Sequence, residues 1–284
     1  MGICGRTDLA SEALRLQLEQ AEALTELPGI RAKEEKLFGC GVTAVEILDE
    51  RGEAALGKPL GRYYTLRLPV EWTRDCLQRG AQALAALLGR CLPGEAAGPV
   101  LLAALGNPDI TPDAVGPLTG ERLLVTRHLK EQAGGLFSAF RPTALVKPGV
   151  LGSSGMESAE QLGALCRQLR PAFVLAIDAL AGTELDALCH CIQICNTGIA
   201  PGSGVGNNRK ALTRESLGVP VLAVGVPTVI DAGSLCREAG LAAMFVTPRD
   251  IDEAVRRVSR ILAYGINLAL HPSLRLEELE EFFL

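Results

Sequence analysis

The chain is predicted to be an α/β protein with a mostly parallel sheet and helices on both faces. Strand-length apolar runs alternate with segments of helical spacing, most plainly after residue 156. Two of those runs, PVLLAALG at 99–106 and FVLAI at 173–177, read as buried strands. Apolar residues make up 48% of the 284 positions, enough for a large core. Aromatics are only 4%, so that core must be built from Ala, Leu and Val.

Each element follows from local pattern. Leu9, Ala13, Leu16, Ala23, Leu24 and Leu27 give residues 9–26 a helical spacing. Thr7 or Asp8 is placed to cap that helix, with an acid in its first turn. CGVTAVEIL at 40–48 alternates like a strand, as does RYYTLRLP at 62–69, which Pro69 ends. An Ala/Leu-rich helix is expected over 73–90, a strand over 99–105, and a helix from about 113 to 131. Residues 133–155 form a Gly/Pro-rich connector. Then come a helix at 156–169, strands at 172–177 and 190–195, a long loop at 196–218 and a strand at 219–225. A helix at about 228–240, the stretch FVTP and a last long helix at about 249–269 complete the reading. No internal repeat and no dividing linker are visible.

Bulk properties exclude some classes. A formal net charge of −5 argues against a direct nucleic-acid partner. No run approaches the length of a membrane span, and no signal peptide is visible. The start MGIC superficially matches acylation signals, but Arg6 stands where Ser or Thr is required. Nine cysteines, scattered through apolar patterns, fit a reduced cytoplasmic protein in which Cys serves as a small hydrophobe. Cys189, His190, Cys191 and Cys195 invite a metal reading. A strand would point HCIQIC side chains to opposite faces, whereas a zinc site needs convergent ligands.

The chemistry-bearing candidates are two aspartates. Asp113 follows the 99–106 run in NPDITPDAVGP, and Asp178 follows FVLAI at once. Ligands in open parallel sheets bind outside the carboxyl ends of strands. Two carboxylates delivered there can share a proton, which is equipment for acid/base work or peptide cleavage. Structural alternatives exist for each: Asp113 as an N-cap for a helix from Ala114, Asp178 as the anchor of a strand-to-loop turn. The loop NTGIAPGSGVGNNRK at 196–210 is long and glycine-rich for a connector. It is a mobile surface loop, a phosphate cradle with off-pattern spacing, or the lining of a peptide groove. His128 falls on the polar side of its helix. Ser153, Ser154 and Ser203 have no GxSxG elbow and no partner histidine, which argues against a serine hydrolase.

Taken together, GRYYTLRLP, ALGNPDITPDAVGP, LLVTRHL, GVLGSSGMES, AIDALA, NTGIAPGSGVGNNRK, LGVPVLAVGVPTVIDA, FVTPRDID and GINLALHP resemble the germination protease (spore endopeptidase) family of spore-forming bacteria. The stretches run in the family's order from about residue 60 to 272. The resemblance implies an α/β fold similar to the hydrogenase-maturation peptidases. It implies an endopeptidase that degrades small acid-soluble spore proteins during germination, working as a homotetramer in the cytoplasm of the spore core. The family's two functional aspartates fall on Asp113 and Asp178, and no metal or other cofactor is implied. The family is made as a zymogen that removes its own N-terminal segment. Its processing site falls on Asp8-Leu9, within TDLASEA, which has the form of its substrates: an acid, an aliphatic, Ala, a small residue and Glu. The organisation expected is therefore a propeptide-like tail, 1–8, and a single peptidase domain, 9–284. The tail is shorter than the family pattern leads one to expect.

In such a pair, the ionised carboxylate activates water while the protonated one donates to the carbonyl oxygen or the leaving amine. Sequence does not say which is which. The backbone N–H groups of Gly202, Gly204 and Gly206 are candidates to stabilise the oxyanion or hold the substrate chain. One rival is a metal-assisted maturation-type peptidase with Asp113 and Asp178 as ligands. The other is a catalytically silent homologue that kept the fold.

Overall fold

The computed structural model describes residues 7–20, 27–69, 71–94, 98–133, 135, 137–206, 209–235 and 244–283. The first elements are α1 (Ala10–Gln20), β1 (Ile30–Leu37), β2 (Cys40–Ile47), α2 (Glu50–Leu56), β3 (Gly61–Arg67), α3 (Arg74–Cys91) and β4 (Val100–Ala104). The middle holds α4 (Val115–Gly120), α5 (Arg127–Gln132), β5 (Thr143–Val146), α6 (Leu151–Ser154), α7 (Ser158–Leu169), β6 (Phe173–Gly182) and β7 (Cys191–Cys195). The chain continues through α8 (Arg214–Leu217), β8 (Val221–Asp231), α9 (Ala232–Leu235), β9 (Phe245–Val246), α10 (Ile251–Leu270) and α11 (Leu276–Phe282).

The strands form one sheet in the order β1-β2-β3-β7-β8-β6-β4-β5, with β9 paired to β8. Here the expectation of a mostly parallel sheet is corrected, because the sheet is mixed. β8, β6, β4 and β5 run parallel. β1, β2, β3 and β7 are joined to one another and to β8 antiparallel. The antiparallel half combines one local hairpin, β1 with β2, with the long-range pairing of β3 to β7. β1 and β2 are joined through Phe38 and Gly39, both at positive φ, the conformation a two-residue hairpin turn needs.

Alternation along the strands buries both faces. Leu102, Leu175, Leu222, Ile192 and Leu66 face α3, α4 and α10 in the larger core. Leu101, Ala103, Val174, Ala176 and Val221 face α7 and α8. Farther along that second face, Val45, Tyr63 and Cys195 meet α1. Cys191 and Cys195 point to one side of β7 and Ile192 and Ile194 to the other, so the cysteines there are core residues.

Several elements differ from expectation, among them β5 and α6 inside the expected connector at 133–155. The single helix at 113–131 is instead a 3-10 turn (Thr111–Asp113) followed by α4 and α5. Tertiary partners take the backbone groups between them. Asn267 accepts from the Leu124 N–H at 3.0 Å and donates to the Arg122 carbonyl at 2.8 Å, while Thr143 Oγ1 donates to the Leu124 carbonyl at 2.6 Å. β6 and β8 both outrun their predicted ends. β8 occupies 228–231, where a helix was expected, and only the short α9 follows; the rest of that helix lies outside the described residues. The charged β1 escapes detection because it is a solvent-facing edge strand.

The strand lengths place the site. β4 ends at Ala104, opposite Ile177 of β6. Beyond that point β6 and β8 continue as a pair from Asp178↔Gly225 onward. Asp178 therefore lies inside β6, at the place where its neighbour on one side stops.

Candidate active site

Asp178 is buried at the stop of β4, and Asp113 is brought to it by the loop after β4. That loop turns back on itself. Gly106 sits at positive φ, and a side chain there would strike the Asp113 carbonyl. Asp113 Oδ2 accepts from the Asn107 backbone N–H at 2.8 Å. Its carboxylate thus serves the loop upstream, and α4, whose N-cap is Ala114, has no side-chain cap.

Both aspartates line one cavity of about 360 Å³, together with Asp8, Gly202, Gly204 and Arg209. Burial raises the Asp113 carboxyl above its ordinary value, against the opposing Asn107 amide and Arg209 charge. Burial raises Asp178 well above the ordinary range, and the charges of Asp113 and Asp8 push the same way. Low dielectric and like charge both disfavour a second ionisation, so this pair retains a proton where isolated carboxyls would have lost theirs. Among the described residues no three His, Cys, Asp or Glu side chains converge as metal ligands.

The N-terminal segment lies across the same region, and its contacts are position-specific. Asp8 donates its N–H to the Ala181 carbonyl at 3.0 Å. Its side chain accepts from the Ala181 N–H at 2.9 Å and from Ser203 Oγ at 3.1 Å. Leu9 is buried with Leu180, Ala187 and Cys191. Ala10 is fully buried. Glu12 is also buried, and its carboxylate accepts from the Thr183 N–H (2.7 Å), Thr183 Oγ1 (2.8 Å) and the Glu184 N–H (3.3 Å). Glu12 is thus held by the turn after β6, with Thr7 Oγ1 donating to it as well at 2.5 Å. Thr7 Oγ1 accepts from the Leu9 N–H at 3.0 Å, ahead of α1, while Asp8 faces Ala181; neither Thr7 nor Asp8 bonds a backbone N–H of the first turn of α1. Residues 1–6 of the tail lie outside the described residues.

The carbonyl oxygen of Asp8, on the Asp8-Leu9 bond, accepts from Lys58 Nζ at 2.9 Å and from Gln193 Nε2 at 2.6 Å. These two residues line a second cavity, of about 420 Å³, and Asp8 borders both cavities. Burial lowers the Lys58 ammonium below its ordinary value, while Asp8, Cys195 and Glu12 pull it back up.

The glycine loop shows three different roles for its glycines. Gly204 approaches so closely that a Cβ would strike both the Asp8 carboxylate and Ala181. Gly202, at positive φ, lines the aspartate cavity. The Gly206 N–H is taken by the Ser203 carbonyl at 3.1 Å. Sequence pattern passed over Lys58, Thr183 and Gln193. Only Gln193 carried a signal: a lone amide inside the apolar alternation CIQIC.

Known proteins bear on this geometry. Residues 8–240 match the family described as germination protease. A germination protease of Caldanaerobacter subterraneus is 39% identical over an aligned span of 319 positions, covering 97% of both chains. One from Clostridium tetani is 35% identical over 98% of both. One from Bacillus cytotoxicus is 42% identical over 81% of this chain and 64% of its own. Among solved structures, a NiFe hydrogenase maturation protease from Thermococcus kodakarensis aligns with 64% of this chain at 19% identity and a TM-score of 0.36.

Proposed function

This chain belongs to the germination protease family, and from that premise we propose that it is an aspartate-dependent endopeptidase that degrades small acid-soluble spore proteins and is made as a self-processing zymogen. Family membership makes it a peptidase. The finer reading rests on one observation. The segment Thr7 to Glu12 is held at its acid, aliphatic, Ala and Glu positions, and it borders the cavity that Asp113 and Asp178 share.

A peptide held this way presents its bond as a substrate would. In the proposed reaction one aspartate is ionised and takes a proton from water as the water oxygen adds to the carbonyl carbon. The other is protonated and gives its proton to the leaving nitrogen. The raised carboxyls supply the singly protonated state this needs. Arg209 opposes the rise at both, which keeps one member ionisable. The reading includes a homotetramer in the spore core, which sedimentation of the purified protein would test.

The decisive experiment uses a peptide containing TDLASEA. The wild-type chain should cut it after the aspartate, with or without EDTA. Asp113→Asn and Asp178→Asn should each slow cleavage by about a hundredfold to ten-thousandfold while remaining folded. Near-normal cleavage by either variant removes that residue from the mechanism. Loss of activity on chelation, restored by an added metal, replaces this mechanism with a metal-assisted one.

A further inference from the structure

The contacts on the Asp8 carbonyl exceed what holding a peptide in place requires. One oxygen receives both an ammonium and a carboxamide N–H. The carboxamide orientation is fixed by its surroundings: Gln193 Oε1 accepts from the Ala10 N–H at 2.6 Å, so Nε2 must face the Asp8 carbonyl. Gln193 is buried in the middle of β7, with Thr65 of β3 and Gly225 of β8 opposite it. Lys58 leaves α2 immediately after Gly57, whose left-handed conformation ends that helix and turns the chain toward the segment. Lys58 also reaches the Thr7 carbonyl at 3.2 Å. Both donors therefore stand on fixed backbone before any substrate arrives.

We infer that Lys58 and Gln193 are catalytic residues that hold the oxyanion formed on the scissile carbonyl, and that Gln193 also grips the chain on the leaving side. This rests on the reading of Asp8-Leu9 as a substrate-like bond. As water adds to the carbonyl carbon, the electron pair of the C=O bond moves onto oxygen. A preorganised ammonium and amide N–H bind that charge more strongly than the neutral carbonyl. When the carbonyl re-forms, the C–N bond breaks and the nitrogen takes the proton of the protonated aspartate. The products are a carboxylic acid and an amine. Gln193 keeps its bond to the N–H two residues beyond the cut, so the leaving strand stays aligned through this step.

The test is cleavage of the TDLASEA peptide with kcat and KM measured separately. Lys58→Met and Gln193→Glu should each lower kcat by about a hundredfold to a thousandfold, the usual cost of one oxyanion donor, with KM changed far less. Gln193→Glu keeps an acceptor for the leaving-side N–H, loses the donor and, when ionised, sets a negative charge against the developing oxyanion. Lys58→Arg should recover part of the loss. A rise in KM at unchanged kcat would show that the two residues only position the chain, and overturns the inference. Should a variant fail to fold, a scissile thioamide tests the same point on the wild-type enzyme. Sulfur accepts hydrogen bonds poorly, so kcat should fall, and an unslowed thioamide overturns the inference as well. Asp178→Asn is measured alongside. If it is inactive while the Lys58 and Gln193 variants keep wild-type kcat, the oxyanion assignment fails and the aspartate mechanism stands. If it is active, the aspartate mechanism itself has failed.

Discussion

Asp178 is placed at a cost to folding, and that cost can be measured. Its proton is bound more tightly in the folded chain than in the unfolded one, because burial, Asp113 and Asp8 all oppose its ionisation. The sign follows from linkage. The folded state is favoured most below the ordinary carboxylate value, and this contribution is lost as pH rises through the raised folded-state value. Asn imitates the neutral carboxyl at every pH. Asp178→Asn should therefore unfold at a higher temperature than wild type near neutral pH, with the gap closing in acid, even as cleavage is lost. A variant less stable than wild type near neutral pH, with the deficit closing in acid, would mean that the ionised carboxylate holds the fold together. Gln193 is the complementary case. An amide on a buried strand costs free energy unless both its ends are satisfied, and here the N-terminal segment satisfies both.

Elements with strong periodicity were legible in the sequence: α3, α7 and α10 lie within a few residues of their predicted bounds. What was not legible depended on partners distant in the chain. The break between α4 and α5 is set by Asn267, 145 and 143 residues from the backbone groups it binds. Parallel or antiparallel pairing of β7 likewise depends on the meander of β1 to β3, whose charged edge strand hides its own pattern. At the site, the two aspartates were singled out by an expected strand-end position, but Asp178 lies inside β6, which runs on to Gly182, and Asp113 lies in the 3-10 turn after β4. Lys58 was not singled out, since nothing in the local pattern marks a lysine just after a helix-ending glycine. The Asn267 contact makes an element-scale prediction. Asn267→Ala leaves a half-buried N–H and a half-buried carbonyl without a side-chain partner, so stability should drop by up to about 1–3 kcal/mol for each group left unpaired. Denaturant unfolding checks this, and an unchanged midpoint would mean that the turn holds itself.

For the molecule as a whole, the sheet, α1 and the tail segment form one continuous assembly within a single chain. Asp8 already borders the aspartate cavity, and the segment from Asp8 to Glu12 is held by contacts with Ala181, Ser203, Thr183 and Gln193. Such tethering replaces a bimolecular encounter with a unimolecular step. Removal of Met1–Asp8 should therefore occur in cis, with a first-order rate constant that does not change on about a hundredfold dilution. Its pH dependence follows from the carboxyl pair. Both members are raised, so the population carrying one proton extends above the ordinary carboxylate range and thins as pH climbs. Processing should then be faster at about pH 5 than at about pH 7.5, and should slow again in stronger acid, where both carboxyls are protonated and neither can activate water. Mass spectrometry of the full chain held at these pH values and at two concentrations reads both features at once, with Asp178→Asn as the inactive control. A rate proportional to concentration would assign the cut to a neighbouring molecule. A tail that stays intact in enzyme able to cut the TDLASEA peptide would show that the docked segment is not a substrate of its own chain.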